Sequence, residues 1–139
     1  NSDGSGLADG SLSGKVDSDM LSSSISVEAQ EQDPSSILNV YRTFSALRNT
    51  YPALAQGTME KHPVYNDSNA EADQIAAWYM VHEGEKMLVL HNFGEQPIVL
   101  TLTDDLSKPV ALLGTAEAGT GENASQLLLG SLSSVVFEL

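Results

Sequence analysis

The sequence predicts a mainly β protein: an antiparallel β-sandwich preceded by one amphipathic α-helix and a flexible N-terminal segment. Three observations predict the mainly β part. A single capped apolar stripe runs from Asp33 to Pro52. After Leu54 the chain becomes a series of short apolar runs, spaced at roughly 8–12 residues and separated by turn residues, the pattern of a sandwich or barrel. No helical run of crossover length lies between those runs, so the strands should pair mainly antiparallel.

Residues 1–24, "NSDGSGLADGSLSGKVDSDMLSSS", are mostly Ser, Gly and Asp. Leu7, Leu12, Val16, Met20 and Leu21 hint at helical spacing, but Gly4, Gly6, Gly10 and Gly14 oppose it. A flexible segment is expected; the alternative is a loop ordered only by a neighbour. Asp33 then reads as an N-cap and Pro34 as the first helical residue. Ile37, Val40, Tyr41, Phe44 and Leu47 recur on one face, with Leu38 on the flank, so a helix is predicted over 34–50. Arg42 and Arg48 sit toward its C-terminal half. Pro52 ends it by disfavouring helical geometry at Tyr51.

The predicted strands follow: 56–65, 75–81, 86–93, 97–102, 109–114, 125–130 and 133–139. Glu83-Gly84-Glu85, Gly94 with Pro97, Asp104-Asp105, and Gly119 with Gly121 and Asn123 supply the turns. The closing "SSVVFEL" alternates, which places Val135, Phe137 and Leu139 on one face and Glu138 on the other.

Composition narrows the function. The 139 residues carry 19 Asp and Glu against 6 Lys and Arg, a net charge of −13. That opposes binding to nucleic acid or an anionic membrane face. The chain has no cysteine, which excludes disulfides, thiolate metal sites and a cysteine nucleophile. No apolar run approaches the roughly 20 residues of a membrane helix. No basic start with an apolar core marks a signal peptide within these residues.

The search for chemistry returns little. His62, His82 and His91 lack the three- or four-residue partner spacing of a helical metal site. No GxSxG elbow, GxGxxG or phosphate loop is present. Glu83 and Glu85 read as a solvated turn, which offers no shielding to raise a carboxyl pKa. Catalytic, metal and cofactor residues are therefore expected to be none. Trp78 and Tyr79 point to opposite faces of their strand. One is expected to fill the core; the other reading is a sugar-stacking platform. Trp78, Tyr79 and Tyr65 are the candidates for weak sugar contact. The sequons at Asn66 and Asn123 matter only in a eukaryotic secretory setting.

One stretch resembles a known family. "SVEAQEQDPSSILNVYRTFSALRNTYPAL" is similar to the junction that ends the catalytic barrel of glycoside hydrolase family 13, the α-amylase family. The pattern is carried by Val27, Gln30, Asp33, Ser36, Leu38, Tyr41, Arg42, Leu47, Arg48, Pro52, Ala53 and Leu54; Phe44 stands where Leu or Ile is common. "GTM" at 57–59, "IAAWYM" at 75–80 and "LVLHNFGEQPIVL" at 88–100 resemble the first strands of the family's C-terminal β-domain. The resemblance covers about residues 25–102 well and the rest loosely.

It implies a division into a barrel-loop remnant (1–24), the last barrel helix region (25–53) and a C-terminal sandwich (54–139). The family's catalytic aspartate, glutamate and second aspartate lie on earlier barrel strands. Their surrounding "NHD" and "YYG.E" motifs are absent here, so no acidic residue inherits those roles. The expected function is that of a non-catalytic C-terminal part of an enzyme acting on α-glucosidic linkages of starch-like glucans. It would steady the barrel and contact glucan weakly. A secreted, periplasmic or cell-surface parent fits best. The expected partners are the missing barrel, α-glucan and a second copy paired through helix 34–50. The rival readings are a freestanding carbohydrate- or protein-binding sandwich and, less well supported, an enzyme in its own right.

Overall fold

The computed structural model describes residues 26–65 and 73–139. The expected flexible segment 1–24 and the Asn66 sequon lie outside the described residues. The chain forms two compact units, one ending at Ser45 and the other running from Ala46 to Leu139.

In the first unit a short helix, α1 (Val27–Gln32), precedes the start of α2 (Ile37–Thr50). The expected capping by Asp33 and Pro34 is not what forms. Asp33 closes the end of α1, and its carboxylate accepts from the Ser35 backbone N–H (2.9 Å) and hydroxyl (2.7 Å). Those two bonds fold a local Asx turn and hold the Asp33 carboxyl below its ordinary pKa, the hydroxyl bond contributing most. With Asp33 engaged, the helix starts three residues later than predicted. Ser36 accepts from the Asn39 N–H at 3.2 Å, the usual reach of an N-cap hydroxyl. Gln30 ties the two helices together. Its carbonyl accepts from the Ser36 hydroxyl (2.7 Å) and the Asn39 amide (2.8 Å), and its side-chain oxygen accepts from Leu38 N–H (3.1 Å). Arg42 meets Glu31 at 2.7 Å on the surface. Along α2 the apolar stripe is open at Ile37 (72% exposed) and Tyr41 (71%), and half-buried at Val40, Phe44 and Leu47.

Pro52 does end α2, with Tyr51 extended (φ −111°, ψ 101°), but it also begins a further short helix, α3 (Pro52–Gln56). Pro at the first helical position gives up no needed N–H.

The second unit is an antiparallel sandwich. One sheet has the order β1-β2-β3-β8-β5 and the other β4-β7-β6. The strands are β1 (Thr58–Lys61), β2 (Ile75–His82), β3 (Glu85–Asn92), β4 (Ile98–Thr101), β5 (Pro109–Leu113), β6 (Ala116–Ala118), β7 (Gln126–Leu129) and β8 (Ser133–Glu138). Only β6 was not expected. Every pairing is antiparallel. The β2–β3 hairpin turns on Glu83 and Gly84, with φ +47° and +92°. Positive φ at both turn residues matches the right-handed twist of the flanking strands.

The core lies between the sheets. Leu88 and Leu90 of β3, Val135 and Phe137 of β8, Leu100 of β4, and Leu127 and Leu129 of β7 are buried together. Val135 and Phe137 face inward as the alternation predicted, whereas Leu139 lies past the strand and is exposed. Val136 is buried too, on the opposite face, because α3 covers that face. Ala53, Leu54, Tyr51 and Leu47 pack there with Met87, Val89 and Val136.

Candidate functional site

Strand β2 presents two neighbouring aromatic residues to opposite faces, and a different cluster forms around each. Tyr79 points between the sheets and is 7% exposed. Its hydroxyl donates to both carboxylate oxygens of Asp104, at 3.0 and 3.2 Å. Asp104 also meets His62 Nε2 at 3.3 Å. His62 Nδ1 accepts from the backbone N–H groups of Val64 (3.2 Å) and Tyr65 (3.1 Å). A ring nitrogen that accepts twice carries no proton, so the imidazole proton sits on Nε2 and donates to Asp104. The His62 ring lies 5.3 Å from Tyr79 and 5.6 Å from Tyr65. The Tyr65 hydroxyl accepts from Thr101 N–H at 2.8 Å, and Lys86 Nζ sits 3.7 Å above the Tyr79 ring.

This cluster has a His and an Asp but no nucleophile within its hydrogen-bond network. Burial pushes the Tyr79 phenol up to about 12, and the bond to Asp104 and its negative charge add to that. A phenol so held stays protonated and donating at neutral pH. The cluster therefore joins β1, β2, β4 and the loop after β4 at one end of the sandwich.

Trp78 points the other way, onto the face that α3 partly covers. Its ring is 5.2 Å from that of His91, and His91 stacks 5.7 Å from Phe93. Trp78 and His91 are half-buried, while Phe93 is 65% exposed. His91 Nδ1 hydrogen-bonds the Ser134 hydroxyl on β8, and burial holds the imidazole below its ordinary pKa. Asn92 fixes the loop that carries Phe93. Its buried amide donates to the carbonyls of Gln96 (2.8 Å) and Gly130 (2.7 Å), and its oxygen accepts from Gly94 N–H (2.8 Å).

The three candidates for glucan contact are therefore not equivalent. Tyr65 (4% exposed) and Tyr79 sit in the core, where neither ring offers a face to a sugar. Trp78 alone is half open. The reading of Glu83 and Glu85 as one solvated turn also needs correction. Glu83 is exposed, but the half-buried Glu85 accepts from Ala53 N–H in the first turn of α3, where an anion suits the helix dipole. Phe93 lay within a predicted strand without being singled out, and His91 was weighed only for metal or catalytic chemistry; it is half-buried and hydrogen-bonded near the end of its strand. Their even spacing from Val89, which pairs with Trp78 across the β2–β3 ladder, was the available signal. Asp104 was taken as a turn residue, and nothing in the local sequence shows its long-range partners.

A shallow groove of about 290 Å³ crosses the outer face of the small sheet, over Val99, Leu128 and Glu117 and past Thr120, Asn123 and Gln126. It has no aromatic ring among its lining residues. Among the described residues no group of three or more His, Asp or Glu side chains could hold a metal ion, and no helix is long and apolar enough to cross a membrane.

The profile of α-amylase SusG C-terminal domains matches residues 75–136, from the start of β2 into β8. The chain is 44% identical over 126 residues to α-amylase SusG of Bacteroides thetaiotaomicron, an alignment that takes in 90% of this chain and 18% of that protein. The chain belongs to the α-amylase family and carries its C-terminal β-domain. It is 29% identical over 119 residues to a trehalose synthase of Thermus thermophilus, covering 83% of this chain and 12% of that one. Among solved structures, trehalulose synthase MutB of Pseudomonas mesoacidophila superposes with a TM-score of 0.68 at 25% identity, covering 89% of this chain and 21% of that one. An isomaltulose synthase variant of Erwinia rhapontici, solved with D-glucose, gives 0.66 at 26% identity over 81% of this chain and 19% of that one. The α-amylase-family chain described here thus spans about a fifth or less of these relatives. Trp78, Tyr79, His91, Phe93 and Asp104 all fall within the matched domain.

Proposed function

We propose that these residues serve as the non-catalytic C-terminal domain of an enzyme that acts on α-glucosidic linkages of starch-like glucans. The parent would use the retaining two-carboxylate mechanism, with its carboxylates on a barrel outside these residues, and this domain would steady that barrel. The observation that carries the reading is the 44% identity to α-amylase SusG over 90% of the chain. The coding sequence upstream and assays of two proteins test it. The uninterrupted reading frame is expected to encode a barrel with paired carboxylates and to cleave or transfer α-glucans. The 139-residue chain is expected to turn over none of starch, maltodextrin or isomaltose-type substrates. Turnover by the short chain that disappears on changing one of its own Asp or Glu residues defeats the reading.

Two finer proposals accompany it. The open Ile37 and Tyr41 on α2 support pairing of two chains through this helix, since burying such side chains is worth roughly 1.5–3 kcal/mol each. Sedimentation at several concentrations, with Val40→Glu and Phe44→Glu together as the control, reads that pairing. Weak glucan contact, if the domain makes it, falls to Trp78, and maltoheptaose titrated against tryptophan fluorescence reads it. Submicromolar affinity would favour a freestanding binding module instead.

A further inference from the structure

We infer that the outer face of the small sheet, β4-β7-β6, is a binding site for a strand of α-glucan, in the groove over Val99 and Leu128. The site is separate from Trp78, which lies on the other sheet. The inference rests on the proposed function above for the identity of the sugar.

The groove follows from strand register and one turn. Val99, Leu128 and Glu117 stand abreast on β4, β7 and β6, and Thr101 and Gln126 form the next outward row. Alternation sends Leu100, Leu127 and Leu129 to the core and leaves Val99 (55% exposed) and Leu128 (42%) outside. The turn after β6 supplies a wall that carries Thr120 and Asn123. Gly119 N–H donates to the Gln126 carbonyl at 2.8 Å, and Asn123 N–H donates to the Thr120 carbonyl at 3.1 Å. A Cβ on Gly119 would strike the Asn123 carbonyl, so glycine there lets the turn close on itself beside the sheet.

The lining selects the ligand. The side chains of Glu117, Thr120, Asn123 and Gln126 are exposed and have no hydrogen-bond partner among the described residues. Two amides, a hydroxyl and a carboxylate thus offer donors and acceptors around an aliphatic floor. A pyranose has the matching form, with C–H groups on its ring faces and hydroxyls along its edge. No Lys or Arg lines the groove, and Glu117 together with the net charge of −13 opposes an anion. One carboxylate is too little for a metal ion, which takes several oxygen ligands. The volume, about 290 Å³, is close to the lower bound of small-ligand sites, roughly 300 Å³. A neutral sugar is the fitting occupant. With no ring to stack on, affinity at this site alone should be low. A long glucan held here and at the barrel at once gains from effective concentration, so a weak contact suffices.

Maltoheptaose titrated into the 139-residue chain, read by backbone amide shifts, tests the site. Up to about 20 mM sugar, saturating shifts are expected at 99, 117–120 and 123–128. Asn123→Ala with Gln126→Ala should weaken the apparent affinity at least about fivefold, from two lost hydrogen bonds. Val99→Glu, which sets a second carboxylate on the floor, should weaken it as well. All three positions are exposed, and unchanged amide shifts elsewhere show that the variants fold. Shifts centred on Trp78 with none at the groove overturn the inference, as does the absence of any shift. Unchanged affinity in both variants overturns it, and so do equal shifts with glycerol at the same hydroxyl concentration. Slowed exchange of the groove amides in the full-length enzyme without sugar would make the face a protein contact and also overturns it. The proposed function fails separately, on a reading frame without a barrel. Groove binding by such a chain keeps the site and assigns it to a freestanding module.

Discussion

Trp78 and Tyr79 are adjacent in sequence and lie in opposite kinds of environment. Around Tyr79 each polar group finds a partner within the chain: the phenol and His62 on Asp104, the Tyr65 hydroxyl on Thr101, and the loop N–H groups on His62. Around Trp78 the rings touch one another and then stop, with Phe93 left 65% in water. The first cluster is complete in this domain. The second has the form of half an interface. The same residue type therefore has two uses in one strand, and the difference lies in whether the surroundings complete the contact. Four measurements separate the two clusters.

The largest effect belongs to the inner face on which Tyr79 lies. Phe137 faces inward from β8, paired with Leu88 and 2% exposed. Phe137→Ala is expected to destabilise the chain by about 3–5 kcal/mol, from lost burial and the cavity left behind. Denaturant unfolding measures it. A loss under about 1 kcal/mol would place the inner face elsewhere and dissolve the distinction between the two clusters.

The next effect appears at alkaline pH. Folding raises the Tyr79 phenol from 10.0 to about 12, so the folded chain keeps a proton that the unfolded chain has lost. That contribution is complete below about pH 10 and disappears as pH rises through about 12. It amounts to about 2–3 kcal/mol by proton linkage. Unfolding at stepped pH, for the chain and for Tyr79→Phe, should show the variant losing less stability over that window. Parallel curves would mean that burial and Asp104 do not raise the phenol on folding. A smaller loss, about 1 kcal/mol, is expected for Tyr65→Phe, which removes the oxygen that accepts from Thr101 N–H. Thr101 is itself exposed, and water can replace part of that bond.

Much of this contrast was legible in the sequence, and the reasons are physical. Alternation along β2 puts Trp78 and Tyr79 on opposite faces whatever the fold. Which of them goes inward depends on which face the second sheet covers, and that is a long-range matter. The strand runs were legible because apolar stretches and turn residues act locally. β6 was missed because three residues of "AEA" carry no β-branched or aromatic signal. Asp33 looked like a helix cap, but Ser35 offers it both an N–H and a hydroxyl two residues on, and Ser36 caps in its place. Glu85 looked solvated because its partner, Ala53, is distant in sequence. Of the three proposed sugar contacts, Tyr65 and Tyr79 went to the core because each hydroxyl finds a partner at the sandwich end. No pattern of neighbours reveals that.

The smallest expected effect discriminates best between a finished surface and an unfinished one. Phe93→Ser in the 139-residue chain should change stability by no more than about 0.5 kcal/mol, the usual range for an exposed site away from special features. The ring lies mostly in water, so removing it leaves no cavity, and the backbone bonds of Phe93 and Gly94 do not involve the ring. Only the stacking on His91 is lost, and pairs of rings contribute roughly 0.5–1.5 kcal/mol when well packed, less when one is open. Placed in the full-length enzyme, the same substitution should cost more than in the short chain, because there the ring would be covered. Denaturant midpoints with an unchanged slope measure both. If Phe93→Ser costs over about 2 kcal/mol in the short chain, the ring already completes a contact within this domain, and the outer cluster is as finished as the inner one.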